Sequence, residues 1–555
     1  NAFANRLQQQ YNCTIFNFSY KRGTDAVAPL VDSLKKQFDV VVIGMHNYSR
    51  RPANRFGISQ AAYQLVNRVQ AEMPAITFVF GNPYAIKDVE ASAANLIACY
   101  EDDEITQQTA ADILSGKVIA KGKLPVTVSE TLPFGTGITE SKLVVEDTPE
   151  NVGLQSVTLN RIDSVANDAI KNHAAPGGVV LVAKNGKVVF HRAYGYTNYD
   201  SLQPVNTNMI YDLASVTKIS ATTVSVMKLY ETGRLDINKT LGDYLPWVKG
   251  SNKENITLKN LLLHQAGLVA WIPFYQETID KAGNPLPSIY QHAASDSFSV
   301  RVAEGLYMRH DWLDTIYNRI LTSKLGPADK YIYSDLDFIF LGKVVEAITG
   351  KPLEDYVKET FYLPLNMTST SFKPRNFFPL NTIVPTEKEK AFRQQLITGD
   401  VHDPGAAMFG GVAGHAGLFS NAHDLAKLYL MLLNGGEMNG VRYFKKATID
   451  TFIAYSSNVS RRGLGFDKPE KDNATRKDPY PTLSASPLTF GHTGFTGTCV
   501  WADPANNILF IFLSNRVTPA GGDNNKLLRM NVRSNIHELI YKAMQPKRDN
   551  PVTKQ

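Results

Sequence analysis

Tyr211-Asp212-Leu213-Ala214-Ser215-Val216-Thr217-Lys218 is the stretch on which the reading of this 555-residue chain turns. The residues after it run without Pro or Gly until Gly233 and place Val224, Met227 and Leu229 at helical spacing, which predicts a helix over 219–231. Ser215 then falls at a helix N-terminus, and Lys218, three positions on, shares its face one turn away. A hydroxyl there meets unpaired backbone N–H groups and the positive end of the helix dipole. A lysine one turn away can take the hydroxyl proton if burial and neighbours keep it neutral. The same four residues also describe an N-cap serine followed by a solvated lysine. Partners further along the chain have to decide between the two.

The length exceeds what one hydrophobic core serves, so two or more domains are expected. Lys plus Arg is 58 and Asp plus Glu is 52, a net charge of +6 with no basic block, which argues against a nucleic-acid partner. The three cysteines, Cys13, Cys99 and Cys499, are too few and too scattered for a disulfide framework or a zinc ribbon, and leave the compartment open. No apolar run reaches the ~18 residues of a membrane span. Asn1 is not an initiator methionine and the chain opens inside a helical pattern, so a fragment or processed form is expected and a missing signal peptide carries no weight.

Residues 1–140 alternate strand and helix patterns. Strands are expected at Cys13–Phe18, Asp39–Gly44, Ala75–Phe80 and Asn95–Tyr100, with helices at Ile58–Ala71 and Ile105–Leu114. Continuous apolar strands separated by helices predict a mostly parallel sheet covered on both faces, an α/β sandwich. Phe80-Gly81-Asn82-Pro83-Tyr84 follows a strand where such sheets place ligands, although its composition is that of a turn. Residues 141–155 are polar with Pro and Gly and read as a linker.

From 156 the pattern changes. A helix at 156–174 precedes Gly178–Lys184 and Lys187–His191, joined by Asn185-Gly186, a strong hairpin signal. Asn255–Gly267 reads as a capped helix, with His264 either a dipole partner near its end or a packed core histidine. Residues 270–330 are aromatic-rich and suit a pocket wall or core filling. Tyr331-Ile332-Tyr333-Ser334-Asp335 leads into a helix over 336–348, with Asp335 as a plausible N-cap. His402, Asp403 and the Gly-rich run Gly410–Gly417, which holds His415, match no metal-ligand spacing and suit a tight backbone bend. Residues 489–503 read as one strand, turning at 503–507 and returning at 508–513, with a terminal helix at 531–544 to pack on the sheet.

Two resemblances emerge from these residues. The strand at Val40–Gly44, the "FGNPY" at 80–84 and the run Ala110–Gly116 through Gly122–Pro125 resemble the second, α/β domain of glycoside hydrolase family 3. That family's nucleophile lies on an upstream barrel, which these 555 residues do not contain. The resemblance implies a barrel upstream in the natural protein and assigns no glycosidase residue here. From 156 on, Ser215-x-x-Lys218, Tyr333-Ser334-Asp335 and His492-Thr493-Gly494, with "AYGYTN" at 193–198, "LLLHQAGL" at 261–268 and "GKPLEDYV" at 350–357, resemble the serine β-lactamase and penicillin-binding protein superfamily, in its class C β-lactamase-like branch.

The second resemblance implies an α+β fold over 156–555, an antiparallel sheet with a helical subdomain. It implies Ser215 as nucleophile, with Lys218 and Tyr333 moving the proton and their order open. Asp335, His492, Thr493 and Gly494 would face substrate, and the N–H groups of Ser215 and Phe495 would form the oxyanion hole, with no metal and no organic cofactor. His492 stands where lysine is common, which favours esters, amides or D-amino acid peptides over penicillins. Asp335 stands where asparagine is common and is acceptor-only when ionised. Joining a sugar-hydrolase module to this fold suggests a small-molecule, peptide or glycopeptide substrate from cell wall in a bacterial periplasm or envelope. The other readings are a penicillin-binding or sugar-binding module without turnover, and the accessory part of a family 3 β-N-acetylglucosaminidase.

Overall fold

Apolar runs become parallel strands in residues 1–142, the first of two units into which the chain divides; the second is 143–555. The computed structural model describes every residue except 12, 47, 48, 116, 117, 119, 121, 138–143, 520 and 545–555. Parts of the 110–125 run and of the expected linker therefore lie outside the described residues.

The first unit runs α1 (Ala2–Gln10), α2 (Val27–Gln37), β1 (Val41–His46), α3 (Gln60–Glu72), β2 (Ala75–Phe80), β3 (Leu96–Ala98) and α4 (Glu104–Leu114). The strands pair in that order, all parallel. Side chains alternate across the sheet. Phe78 and Phe80 pack with Phe3, Leu7, Ala110 and Ala111 of α1 and α4, whereas Met45 and Val79 pack with Ala62, Tyr63 and Val66 of α3. The Ser59 hydroxyl accepts Ala62 N–H (3.3 Å) and the Asp103 carboxylate accepts Thr106 N–H (2.7 Å), which start α3 and α4. The sheet is small, with three strands. Cys13–Phe18 forms no ladder: Phe16 is half exposed, and the segment has too little apolar surface to hold an edge position. Asn82 accepts Tyr84 N–H at 3.0 Å, so "FGNPY" is a capped turn.

In the second unit the site is positioned by β4 (Val145–Glu146), α5 (Arg161–Lys171), β5 (Gly177–Lys184), β6 (Lys187–Gly195), β7 (Tyr211–Asp212), α6 (Thr223–Glu231), α7 (Leu258–Leu262), α8 (Asp335–Thr349), β8 (Leu418–Ser420), α9 (Ala422–Leu433), β9 (Phe490–Thr493), β10 (Cys499–Asp503), β11 (Ile508–Ser514) and α10 (Val532–Lys542). A six-stranded sheet has the order β9-β10-β11-β5-β6-β4, antiparallel except for the β4–β6 edge. Asn185 and Gly186 both have positive φ (52° and 79°), the backbone a two-residue hairpin turn requires. Val179, Leu181 and Ala183 face a core built with α6, α8 and α9. Val180 and Val182 face the other core, with Trp501, Phe510, α5 and α10.

Two expectations change here. Residues 144–155 are not a free tether: Val145 and Glu146 pair with Lys187 and Val188, and Leu154 bridges Met544, so the segment belongs to the second unit's sheet and core. The run 489–503 is not one strand. It folds back at 494–498 into the β9–β10 hairpin, because Gly494 N–H bonds Thr498 O (2.8 Å) and Gly497 takes φ +106°.

Gly491 pairs with Trp501 across that hairpin, and a Cβ there would sit 2.0 Å from Val500 O and 2.7 Å from the Trp501 ring. Gly491→Ala is expected to destabilise the second unit by about 1–3 kcal/mol, read as a lower urea midpoint at unchanged slope.

Candidate active site

The chain reaches Ser215 through a backbone held from both sides. β7 pairs with β8. The buried Asp212 carboxylate accepts Ala214 N–H (2.8 Å) and His402 N–H (2.6 Å), and burial raises its pKa against those bonds. Ala214 takes φ +47°, a conformation L-residues rarely hold without constraint. The backbone from there to Glu231 is not one regular helix: it makes a 3-10 turn over Ala214–Val216, a π-turn over Lys218–Thr222, then α6. The wide π-turn falls on the lysine itself.

Lys218 is fully buried. Its Nζ donates to Ser215 Oγ (3.0 Å), Asp335 Oδ1 (2.7 Å) and the His415 carbonyl (3.2 Å). Those three acceptors use all three protons of an ammonium. Burial pulls its pKa down, but the Asp335 charge and the Tyr333 side chain outweigh this and hold it above the ordinary lysine range. The condition under which Lys218 could take the serine proton, a neutral amine, is therefore opposed by its surroundings, which favour the ammonium as a donor to Ser215. Its Nζ lies 5.0 Å from the centre of the Tyr333 ring.

Asp335 is not the helix cap. Ser334 caps α8, its hydroxyl accepting Leu336 N–H at 3.2 Å, and Asp335 is the first helical residue with its carboxylate turned to Lys218. His492 is 3% exposed, not on an open substrate face, and its ring lies 5.9 Å from that of Tyr333. Burial, with Arg462 nearby, pushes its pKa down to about 3, so it is neutral. Its Nδ1 donates to Thr493 O at 2.7 Å. Thr493 is half-buried, Gly494 buried and Phe495 half exposed.

The hairpin tip is bolted to the strand end that carries the serine. Thr496 Oγ1 donates to Asp212 O (2.8 Å) and Thr498 Oγ1 to Leu213 O (2.9 Å), both hydroxyls fully buried. Only glycine fits at 494, where a Cβ would lie 2.4 Å from Leu213 O. Among the described residues neither Ser215 N–H nor Phe495 N–H has a protein acceptor. Asp212, Thr496, Thr498 and the His415 carbonyl were missed by sequence reasoning, since each acts through a partner hundreds of residues away or through its backbone.

Asp335, Asp403 and His415 each bring one ligand atom within 4.8 Å of the others, the set among the described residues with metal-ligand chemistry. His402 is not part of it, because its Nε2 instead meets Glu387 (2.9 Å). The positive charge beside Asp335 is the Lys218 ammonium.

A family profile described as Beta-lactamase matches residues 162–532. The chain is similar to a protein named "Putative D-alanyl-D-alanine carboxypeptidase" of Escherichia coli (strain K12), 34% identical over 399 residues, 67% of this chain and 86% of that one. Two solved structures share the fold. EstCE1, described as a hydrolase with promiscuous acyltransferase activity, has TM-score 0.52 at 19% identity, covering 69% of this chain and 99% of its own. Simvastatin synthase (LovD) from Aspergillus terreus has TM-score 0.52 at 18% identity, covering 70% and 99%.

An ammonium held above its ordinary pKa contributes stability that is fully present below the unfolded lysine's pKa and is lost as pH rises through the folded value. Asp335→Asn is expected to cost about 1–3 kcal/mol at pH 7, less than a fully buried pair because the carboxylate is a quarter exposed. The stability gap to wild type shrinks as pH rises towards 11. A gap that widens over pH 7–11 overturns the charge assignment of Lys218.

Proposed function

Because the chain belongs to the beta-lactamase family and is a serine hydrolase, we propose that Ser215 forms an acyl-enzyme with an ester, amide or D-amino acid peptide and that Tyr333 is the base. The observation that carries this reading is the buried Lys218 Nζ, 3.0 Å from the serine oxygen and also bonded to Asp335 Oδ1 and the His415 carbonyl, where its surroundings favour the ammonium. A group in that state does not remove a proton. It orients Oγ and sets a positive charge beside Tyr333, against which the phenolate that serves as base can stand.

In the first half-reaction Tyr333, acting as the phenolate, takes the Ser215 Oγ–H proton and becomes the phenol as Oγ attacks the acyl carbon. The carbonyl oxygen gains charge between the Ser215 and Phe495 N–H groups, a reading supported by their lack of protein acceptors. The leaving group takes the proton from Tyr333 as its bond to the acyl carbon breaks. A water then repeats the sequence on the ester, losing its proton to Tyr333 and returning Ser215. Asp335 serves as the counter-ion of Lys218. Thr493, Gly494 and the half-exposed Phe495 form the edge along which substrate lies.

The substrate class we favour is a peptide ending in D-amino acids, from cell-wall material. It is supported by the name of the Escherichia coli relative and by the neutral His492, which supplies no cation for a penicillin carboxylate. We also propose that the first unit is a glycoside hydrolase family 3 type α/β module, with a barrel upstream in the natural protein and a bacterial envelope setting. Its support is the three-stranded parallel sheet with "FGNPY" at the end of β2. No helix among the described residues is long and apolar enough to cross a membrane.

An alkyl fluorophosphonate is expected to label the wild-type chain and not Ser215→Ala. Tyr333→Phe should lower turnover of a p-nitrophenyl ester by about a hundredfold or more. Labelling that persists in Ser215→Ala, or a Tyr333→Phe variant within twofold of wild type, refutes the assigned roles. A panel of D-Ala-D-Ala peptide, D-amino acid anilide and cephalosporin sets the substrate class.

A further inference from the structure

Tyr333 sits on a loop, between residue 332 and the cap of α8, and a loop does not by itself hold a phenol in place. One residue grips it on both sides. His264 O accepts Ile332 N–H at 2.9 Å, and His264 Nδ1 accepts Ser334 N–H at 3.2 Å. The His264 ring also lies against the Tyr333 ring, centroids 4.6 Å apart and planes at 42°. His264 is fully buried and takes φ +55°, just past the end of α7. A bulky residue keeps that conformation only where its surroundings demand it.

The imidazole is itself locked. Its Nδ1 lies 2.6 Å from Asp337 Oδ2, a carboxyl group 1% exposed in the first turn of α8. Ser334 N–H can only donate, so Nδ1 presents a lone pair and the proton of the short contact belongs to Asp337. Burial supports that state from both ends, raising Asp337 well above the carboxylate range and lowering His264 well below the histidine range. In that tautomer the pair is an acid hydrogen-bonded to a neutral imidazole whose Nε2 carries the other proton without a protein acceptor among the described residues. His492, whose ring lies 5.9 Å from that of Tyr333, has the opposite tautomer, with Nδ1–H on Thr493 O. Two neutral histidines thus neighbour the phenol ring.

We propose that His264, locked by Asp337, is the positioning residue for Tyr333: it fixes the peptide on both sides of the tyrosine and packs against its ring, so that the phenol keeps its place beside Lys218, the partner of Ser215. This rests on the reading of Tyr333 as base. His264 touches no substrate and exchanges no proton in the reaction. Its effect passes through the placement of another residue, and misplacement by an ångström is enough to cost a large factor in rate.

The test is a double-mutant cycle on the full chain, using His264→Asn, which tolerates positive φ, and Tyr333→Phe. Readouts are the second-order rate of labelling by an alkyl fluorophosphonate and kcat and KM on p-nitrophenyl acetate. His264→Asn is expected to lower labelling and kcat by about tenfold or more with KM within about threefold, and to lower them by less than about threefold on the Tyr333→Phe background. The same loss on both backgrounds means a general structural role and overturns the inference. So does a His264→Asn variant that labels at the wild-type rate while Tyr333→Phe does not. Tyr333→Phe at the wild-type rate takes down the base assignment itself, and this inference with it.

Should His264→Asn not fold, Asp337→Leu replaces it in the cycle with the same expectation. Asp337→Asn, whose amide can donate to Nδ1 as the carboxyl group does, should stay within about threefold of wild type. A loss in Asp337→Asn as large as in Asp337→Leu overturns the neutral pair.

Discussion

The second unit is assembled around one buried positive charge. Removing an ammonium from water costs several kcal/mol even after relaxation, so a fully buried Lys218 exists only where three acceptors meet it. Those acceptors come from three distant parts of the chain: the serine one turn back, the first residue of α8, and the Gly-rich loop before α9. The demand of that cation for partners therefore specifies how α6, α8 and the 410–417 loop approach one another. Gly414 shows how close the approach is: a Cβ there would lie 2.0 Å from Phe338 O, and its own carbonyl accepts Thr222 Oγ1 at 2.6 Å.

A second constraint sets the other wall. The β9–β10 tip packs against the strand end that precedes Ser215, with no room for a side chain at the contact. Glycine at 494 leaves room for the Leu213 carbonyl, and two threonine hydroxyls bind the tip to residues 212 and 213. Each such bond adds about 1 kcal/mol, which is modest for stability. Its larger effect is geometric, since the same two residues precede the serine and any shift of the tip would move the Phe495 N–H, one of the two proposed oxyanion donors, relative to that of Ser215.

How far the sequence disclosed this depended on the range of each interaction. Ser215 and Lys218 share a helical turn, so spacing alone put them together. The Asn185-Gly186 hairpin and strand β2 were legible because turn chemistry and apolar runs act within a few residues. Residues 144–155 looked like a tether because the strand that pairs with them begins at Lys187. The 489–503 run looked like one strand because no proline and no charged residue interrupts it before Asp503, while the turn is made by backbone bonds and a glycine. Ser334 took the cap expected of Asp335 once the Lys218 charge claimed the carboxylate, and no local pattern records a partner 117 residues away.

Long-range partners also account for the histidine at 492. Its side chain points back from β9 into a region where Asp467 already takes two bonds from Arg461, at 2.8 and 3.2 Å, and a third from Tyr480 at 2.7 Å, with Arg462 3.7 Å away. Asp467 is also paired through its backbone with Gly491, one residue from His492. A lysine in that position would add a cation beside Arg462 and near Lys218 with no carboxylate left to meet it, a cost of several kcal/mol. A neutral imidazole can be buried there, donate one proton to Thr493 O and support the Tyr333 ring. The departure at 492 thus does more than alter what a substrate meets. It leaves Lys218 as the cation that acts on Ser215, and it makes the surroundings of Tyr333, rather than a second ammonium, decide how that tyrosine is held.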